Sequence, residues 1–381
     1  MINELIDNQL PGESRPVLIC VLGMHRSGTS AVTSFVHALG AFMGAQRLEA
    51  IPAINADGFW EDGAIVGLNE ELLAAGGRSW SDHRAWQSEG VDADLLQRFR
   101  ARALAHMRTH YLHQRLAVIK DPRLCRLLPF WLEVWDTAGF AVRCLYVVRH
   151  PYAVASSLHK RDKIPLEYSV LLWLQYMLEA AAASVEVPAI VVSFDALLEQ
   201  PARLPAALIG ELDIALPMAE ENWHNAASLS LDAELRHGHD AVASAIAPIA
   251  WVNSALAVYN FFCSADFKKI NRECLHAVLA EYRLLLADNN ECITPLQRIT
   301  GELMQLSAEA VRVGELHTNA LMTISQKETE VAHLQKSVED LQEYVEYLQK
   351  CVDARNQLVD DLTHFRIWRL VPRILHRMNK K

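Results

Sequence analysis

A chain of 381 residues has room for one large domain with an appendage, or for two ordinary domains, and for a substantial core. With 51% hydrophobic and 22% charged residues it is composed like a soluble globular protein, which excludes a disordered or fibrous chain. A formal net charge of −10 excludes a general nucleic-acid binder and still allows a local basic cradle for a small anion.

The chain opens Met-Ile-Asn-Glu with no basic region followed by an apolar core, so no secretory signal is expected, and polar residues 1–16 are expected to form a flexible N-terminus. Val17 to Leu22 is an unbroken apolar run of strand length, as a central parallel strand covered on both faces requires. It ends at Gly23. Past a glycine-containing turn, Val32, Phe35, Val36 and Leu39 fall at helical spacing, with Gly40 as the stop. A second strand, Ala117 to Ile119, leads into Lys120-Asp121-Pro122-Arg123. A third, Arg143 to Val148, leads into Arg149-His150-Pro151 and a helix that Pro151 is placed to start. The apolar stretch from Val170 to Ala183 contains Gln175 and Glu179 and is too short to span a bilayer, so it is expected as a buried helix. A fourth strand, Ala189 to Val192, precedes Ser193-Phe194-Asp195 and another helical run. Strands alternating with helices predict an α/β fold with a doubly wound parallel sheet, whose ligands collect at the carboxyl ends of the strands. Residues 205–300 read as mostly helical.

Farther on, Val331, Leu334, Val338, Leu341, Val345, Leu348 and Val352 alternate three and four apart, and Val359 and Leu362 resume the register after polar Arg355. This heptad seam predicts a coiled coil over 301–364, with a homo-oligomer or another coiled coil as partner. The register extends back through Ile324, Val313 and Leu303, and a helix over 303–362 would be on the order of 90 Å long at ~1.5 Å per residue. The tail, 365–381, carries six Arg and Lys and no acid among apolar residues, a composition suited to an anionic membrane surface or an acidic partner, with a solvated basic tail as the alternative and Pro372 expected to interrupt any continuous helix. Seven cysteines occur without a CxxC pair, and the odd count leaves at least one unpaired within the chain, which fits a reducing, cytosolic compartment.

The turn after the first strand reads Gly23-Met24-His25-Arg26-Ser27-Gly28-Thr29-Ser30. A turn between a buried strand and a helix aims backbone N–H groups and the positive end of the helix dipole at one spot, which stabilises an anion there. The dipole contributes only ~0.3–1 kcal/mol at an exposed terminus, so side-chain cations must add to it. Arg26 supplies one, and Ser27, Thr29 and Ser30 bring hydroxyl groups. The loop is similar to the nucleoside-triphosphate motif GxxxxGK[ST], but Thr29 stands where that motif needs lysine. A nucleotide-dependent kinase is therefore the runner-up.

The loop more closely resembles the 5′-phosphosulfate loop of sulfotransferases, in which Arg or Lys precedes Ser-Gly-Thr. A second element of that family is a strand ending in arginine, with a serine eight residues later that joins it on the 3′-phosphate of the nucleotide. Leu145 to Arg149, followed by Ser157, reproduces that order. A guanidinium at a strand end and a hydroxyl on the next helix can converge on one phosphate. Gly58-Phe59-Trp60-Glu61-Asp62, Leu68-Asn69, Gly77 to Trp80, Lys120-Asp121-Pro122 and Ser193 to Leu198 also look like segments of carbohydrate-type and tyrosylprotein sulfotransferases. Phe-Asp-Ala replaces the family's usual acidic pair in the last of these, and the histidine base of the cytosolic drug-sulfating branch has no counterpart.

The resemblance spans residues 17–200 and implies a sulfotransferase-like domain over 17–300. It also implies 3′-phosphoadenosine 5′-phosphosulfate as co-substrate and sulfuryl transfer to an acceptor hydroxyl, on a glycan by the bacterial resemblance, with no metal. It assigns Arg26, Ser27, Gly28, Thr29, Ser30, Arg149 and Ser157 to the nucleotide. Arg26 and Lys120 would meet the developing charge, and Glu61 would be the base, with Asp62, Asp121 and His25 as rivals. Two separate clamps are expected, Arg26 at one end of the nucleotide and Arg149 with Ser157 at the other. The expected location is cytoplasmic, with the tail at the inner membrane face. A non-catalytic scaffold, whose function rests in the coiled coil, is the third reading.

Overall fold

A computed structural model describes residues 15–44, 59–231, 246 and 250–378, and the expectation for residues 1–14 lies outside them. The chain divides into two units, Met1–Gln305 and Leu306–Lys381.

The first unit is built on four parallel strands, β1 (Val17–Leu22), β2 (Leu116–Lys120), β3 (Ala141–Val148) and β4 (Ala189–Ser193), in the order β2-β1-β3-β4. The unbroken apolar run of β1 is explained by its two covered faces. Leu18, Cys20 and Leu22 enter one core cluster, while Ile19 and Val21, on the opposite side of the pleat, enter another.

The first cluster is closed by α2 (Gly63–Ala75), α3 (Ala93–His110), α4 (Leu124–Ala138), α5 (Pro151–Asp162), α6 (Leu166–Ala183) and α10 (Ala250–Ser264). The second is closed by α1 (Thr29–Ala38), α7 (Phe194–Glu199), α8 (Arg203–Gly210) and α9 (Trp223–Ser230). This is the doubly wound α/β arrangement that the alternation of strands and helices predicts. Fully burying each Leu, Val or Phe contributes roughly 1.5–3 kcal/mol, which explains why α6, apolar on nearly all sides, sits inside the first cluster. Among the described residues no helix is long and apolar enough to cross a membrane.

Sheet order positions the site. From β1 the chain passes to β2 on one side, and from β3 it passes to β4 on the other. The helices that follow β1 and β3, α1 and α5, accordingly lie on opposite faces. A crevice opens where two such connections diverge, outside the carboxyl ends of the strands. Here that point lies between β1, which is followed by Gly23, and β3, which is followed by Arg149.

The final helix, α11 (Arg272–Met378), starts in the first unit, where Leu275 and Leu279 are buried, and makes up the second. It passes through Pro372 instead of stopping there, contrary to expectation. A proline removes one N–H donor and crowds the carbonyl four residues back, which bends a helix whose remaining turns stay bonded without ending it. In the second unit the seam residues Val331 to Val359 are exposed.

Candidate functional site

The loop from Gly23 to Ser30 is shaped by close backbone approach. A Cβ on Gly23 would meet the Val147 carbonyl oxygen at 2.6 Å, so only glycine lets β1 end this close to β3. The Gly23 N–H donates to Cys125 Sγ at 3.1 Å, and Ser27 N–H donates to the Met24 carbonyl at 3.1 Å. Gly28 caps α1 in the left-handed region (φ 89°), where a Cβ would run into the Phe194 ring. No side chain caps that helix. Gly28→Ala should therefore lower unfolding stability by about 1–3 kcal/mol, the cost of one strained backbone site; an unchanged urea midpoint would mean that the loop relaxes out of the left-handed conformation at no cost.

Arg26 is also left-handed (φ 69°), and this turns its side chain across the crevice. Its Nε donates to Ser157 Oγ on α5 at 2.9 Å, and Arg149 Nη1 donates to the Arg26 carbonyl at 3.3 Å. The two clamps expected at opposite ends of a ligand are thus in direct contact. The reason is the sheet order, which makes the ends of β1 and β3 neighbours, combined with the backbone turn at Arg26. Arg149 also lies over the Phe194 ring, 5.1 Å from its centroid, so the end of β4 supports both clamp and loop.

The side chains around the loop are rich in cations. Burial, then Arg161 and Arg149, hold the Arg26 guanidinium below its ordinary pKa, with Asp162 opposing. Burial likewise lowers Arg149, with Asp195 opposing. His25 is lowered well below the usual range, first by burial and then by Arg123, Arg161, Lys120 and Arg26, so it is a neutral imidazole. An incoming anion would relieve the cationic crowding that adds to burial at Arg26 and His25. Beneath the loop, Ser27 Oγ and His25 Nε2 are buried with no hydrogen-bond partner among the described residues.

The end of β2 carries the second polar group. Lys120 Nζ donates to Glu61 Oε1 at 2.5 Å and to Ser30 Oγ at 3.1 Å, and Ser30 Oγ donates to the Phe59 carbonyl at 3.2 Å. Lys120, Glu61 and the loop are therefore one hydrogen-bonded group. Glu61 is buried, and burial raises its pKa while Lys120 opposes. Its Oε2 has no hydrogen-bond partner among the described residues.

The rival carboxylates are engaged elsewhere. Asp62 caps α2 through Ala64 N–H at 3.0 Å and also binds Tyr111 at 2.8 Å and His106 at 3.0 Å. Asp121 accepts from Asn69 at 2.8 Å and from the Arg123 backbone at 3.0 Å and guanidinium at 2.8 Å. Both hold the framework in place. His25 is packed between Trp80 and Tyr176, with ring centroids 4.8 and 6.0 Å away.

Sequence reasoning missed Arg161 and gave no role at the site to Phe194 or to the strap of residues 79–84. Arg161 stands on the last turn of α5 over Trp80, at 5.7 Å, and no motif marks it. The strap is tied down by α4 and α6. Buried Arg126 donates to the carbonyls of Ser79 (2.9 Å), Asp82 (2.6 Å) and Arg84, Tyr176 to that of Trp80 (2.6 Å) and Tyr168 to that of Ser81 (2.9 Å). A lone buried arginine paired with Glu179 is the signal that a sequence could have offered, and nothing in the chain marks it as buried. Gly58 lies outside the described residues.

No family model matches the sequence, and no curated protein matches it. Among solved structures the chain is similar to the sulfotransferase domain from the Synechococcus PCC 7002 olefin synthase, at 17% identity and a TM-score of 0.38, over 67% of this chain and 98% of that one.

Proposed function

We propose that the chain transfers a sulfuryl group from 3′-phosphoadenosine 5′-phosphosulfate to an acceptor hydroxyl, with a glycan as the acceptor class. The observation that carries this reading is the contact of Arg26 with Ser157 and Arg149 at the topological switch point, where two guanidiniums lowered chiefly by burial lie side by side and suit a polyanion. The buried, unpartnered Ser27 hydroxyl and the tight glycine turn fit such a ligand.

When bound, the nucleotide supplies the sulfuryl group and the phosphate that leaves with its bonding electrons. Arg149 and Ser157 hold the 3′-phosphate, and the Gly28 to Ser30 helix start receives the 5′ side. Arg26 and Lys120 offset negative charge as it grows in the transition state, a preorganised electrostatic role. Glu61 takes the acceptor's hydroxyl proton on Oε2 while Lys120 keeps Oε1 in place. In the same reading residues 17–300 form the catalytic domain and the basic tail, 365–381, meets an anionic membrane surface.

Isothermal titration calorimetry tests the reading. Adenosine 3′,5′-bisphosphate should bind without added metal, and ATP with magnesium should bind far more weakly. Tight ATP–magnesium binding with no response to the bisphosphate would favour the kinase reading and end this one.

A further inference from the structure

The apolar seam of α11 plays no part in the proposed chemistry. From Val331 to Val359 its valines and leucines are between 43% and 62% exposed, an apolar stripe of the kind that marks an interaction surface. A helix of this length draws most of its stability from packing of its apolar face, so the stripe needs a cover.

Every seventh residue from Val331 to Val359 is valine, and three residues after each of the first three stands leucine (Leu334, Leu341, Leu348). Spacing of three and then four makes valine position a and leucine position d of the heptad. A β-branched residue at a with leucine at d favours two parallel strands, whereas trimers and tetramers favour other pairings. From 331 to 361 every acidic residue and every lysine falls at the outer positions b, c and f. The flanking e positions are amides (Gln335, Gln342, Gln349, Asn356), and the g positions are Ser337, Tyr344, Cys351 and Leu358. No charge at e or g repels an identical copy, and none is there to select a differently charged partner.

Arg355 occupies a d position. In register, it faces only its own counterpart, giving a single polar layer. A slip of one heptad would set each arginine against a leucine layer and leave two, so the residue fixes the register at a local cost in stability.

We infer that residues 331–361 pair with a second copy of this chain as a parallel, in-register, two-stranded coiled coil. The full chain should sediment at twice its monomer mass, and Leu341→Asp should abolish the dimer by placing a charge in the seam. Orientation is tested in full-length protein with Cys292 and the exposed Cys274 and Cys351 changed to serine. Val331→Cys alone should then form a disulfide-linked dimer under mild oxidation. A monomeric or trimeric wild-type chain, a Leu341→Asp variant that stays dimeric, or crosslinking only when Val331→Cys is mixed with Val359→Cys would each overturn the inference.

Discussion

Arg26→Ala is expected to lower the transfer rate about 10²-fold or more with nucleotide saturating, the scale of removing one preorganised donor to transition-state charge. The backbone at Arg26 offers a control. A non-glycine residue in the left-handed region costs roughly 1–2 kcal/mol, so Arg26→Gly relieves that strain while removing the same guanidinium. If the side chain acts through its charge, both variants lose turnover and the glycine variant is the more stable. If it only shapes the loop, Arg26→Gly retains turnover, and the electrostatic role fails. Steady-state kinetics and a thermal melt on the two variants separate these outcomes.

Glu61→Gln is expected to abolish transfer while leaving the affinity for adenosine 3′,5′-bisphosphate unchanged. The amide keeps an oxygen that can accept from Lys120, so the buried lysine is not stranded, and the variant isolates the proton-accepting role. The pH profile gives a second reading. A base works as carboxylate, and burial raises this one above the ordinary glutamate value of ~4.3. The rate should therefore fall on acidification through a limb that lies above the usual carboxylate range. Weakened bisphosphate binding with an intact transfer rate would assign Glu61 to the nucleotide and leave the base to another group.

The sheet was legible where burial leaves a local mark. β1 and the inner part of β3 are continuous apolar runs that end in Gly23 and Arg149, and the loop and clamp stand at fixed spacings from those ends. What depended on distant partners was not legible. The contact between Arg26 and Ser157 follows from a backbone angle and a strand order, neither visible in the spacing of the motifs. Asp62 and Asp121 stayed rivals to Glu61 as bases because their partners Tyr111, His106 and Asn69 are 44 to 52 residues away in the chain. The helix across Pro372 was misread because a local breaker was weighed without the bonded turns on either side.

The strap over residues 79–84 bears on how an acceptor gets in. Its five tethered carbonyls are held by side chains of two buried helices, so lifting it would strand those donors and acceptors together, away from water. Such a wall cannot serve as a door. Traffic to the crevice must use another side, and Trp80, packed in that wall against His25 and Arg161, stays a fixed surface.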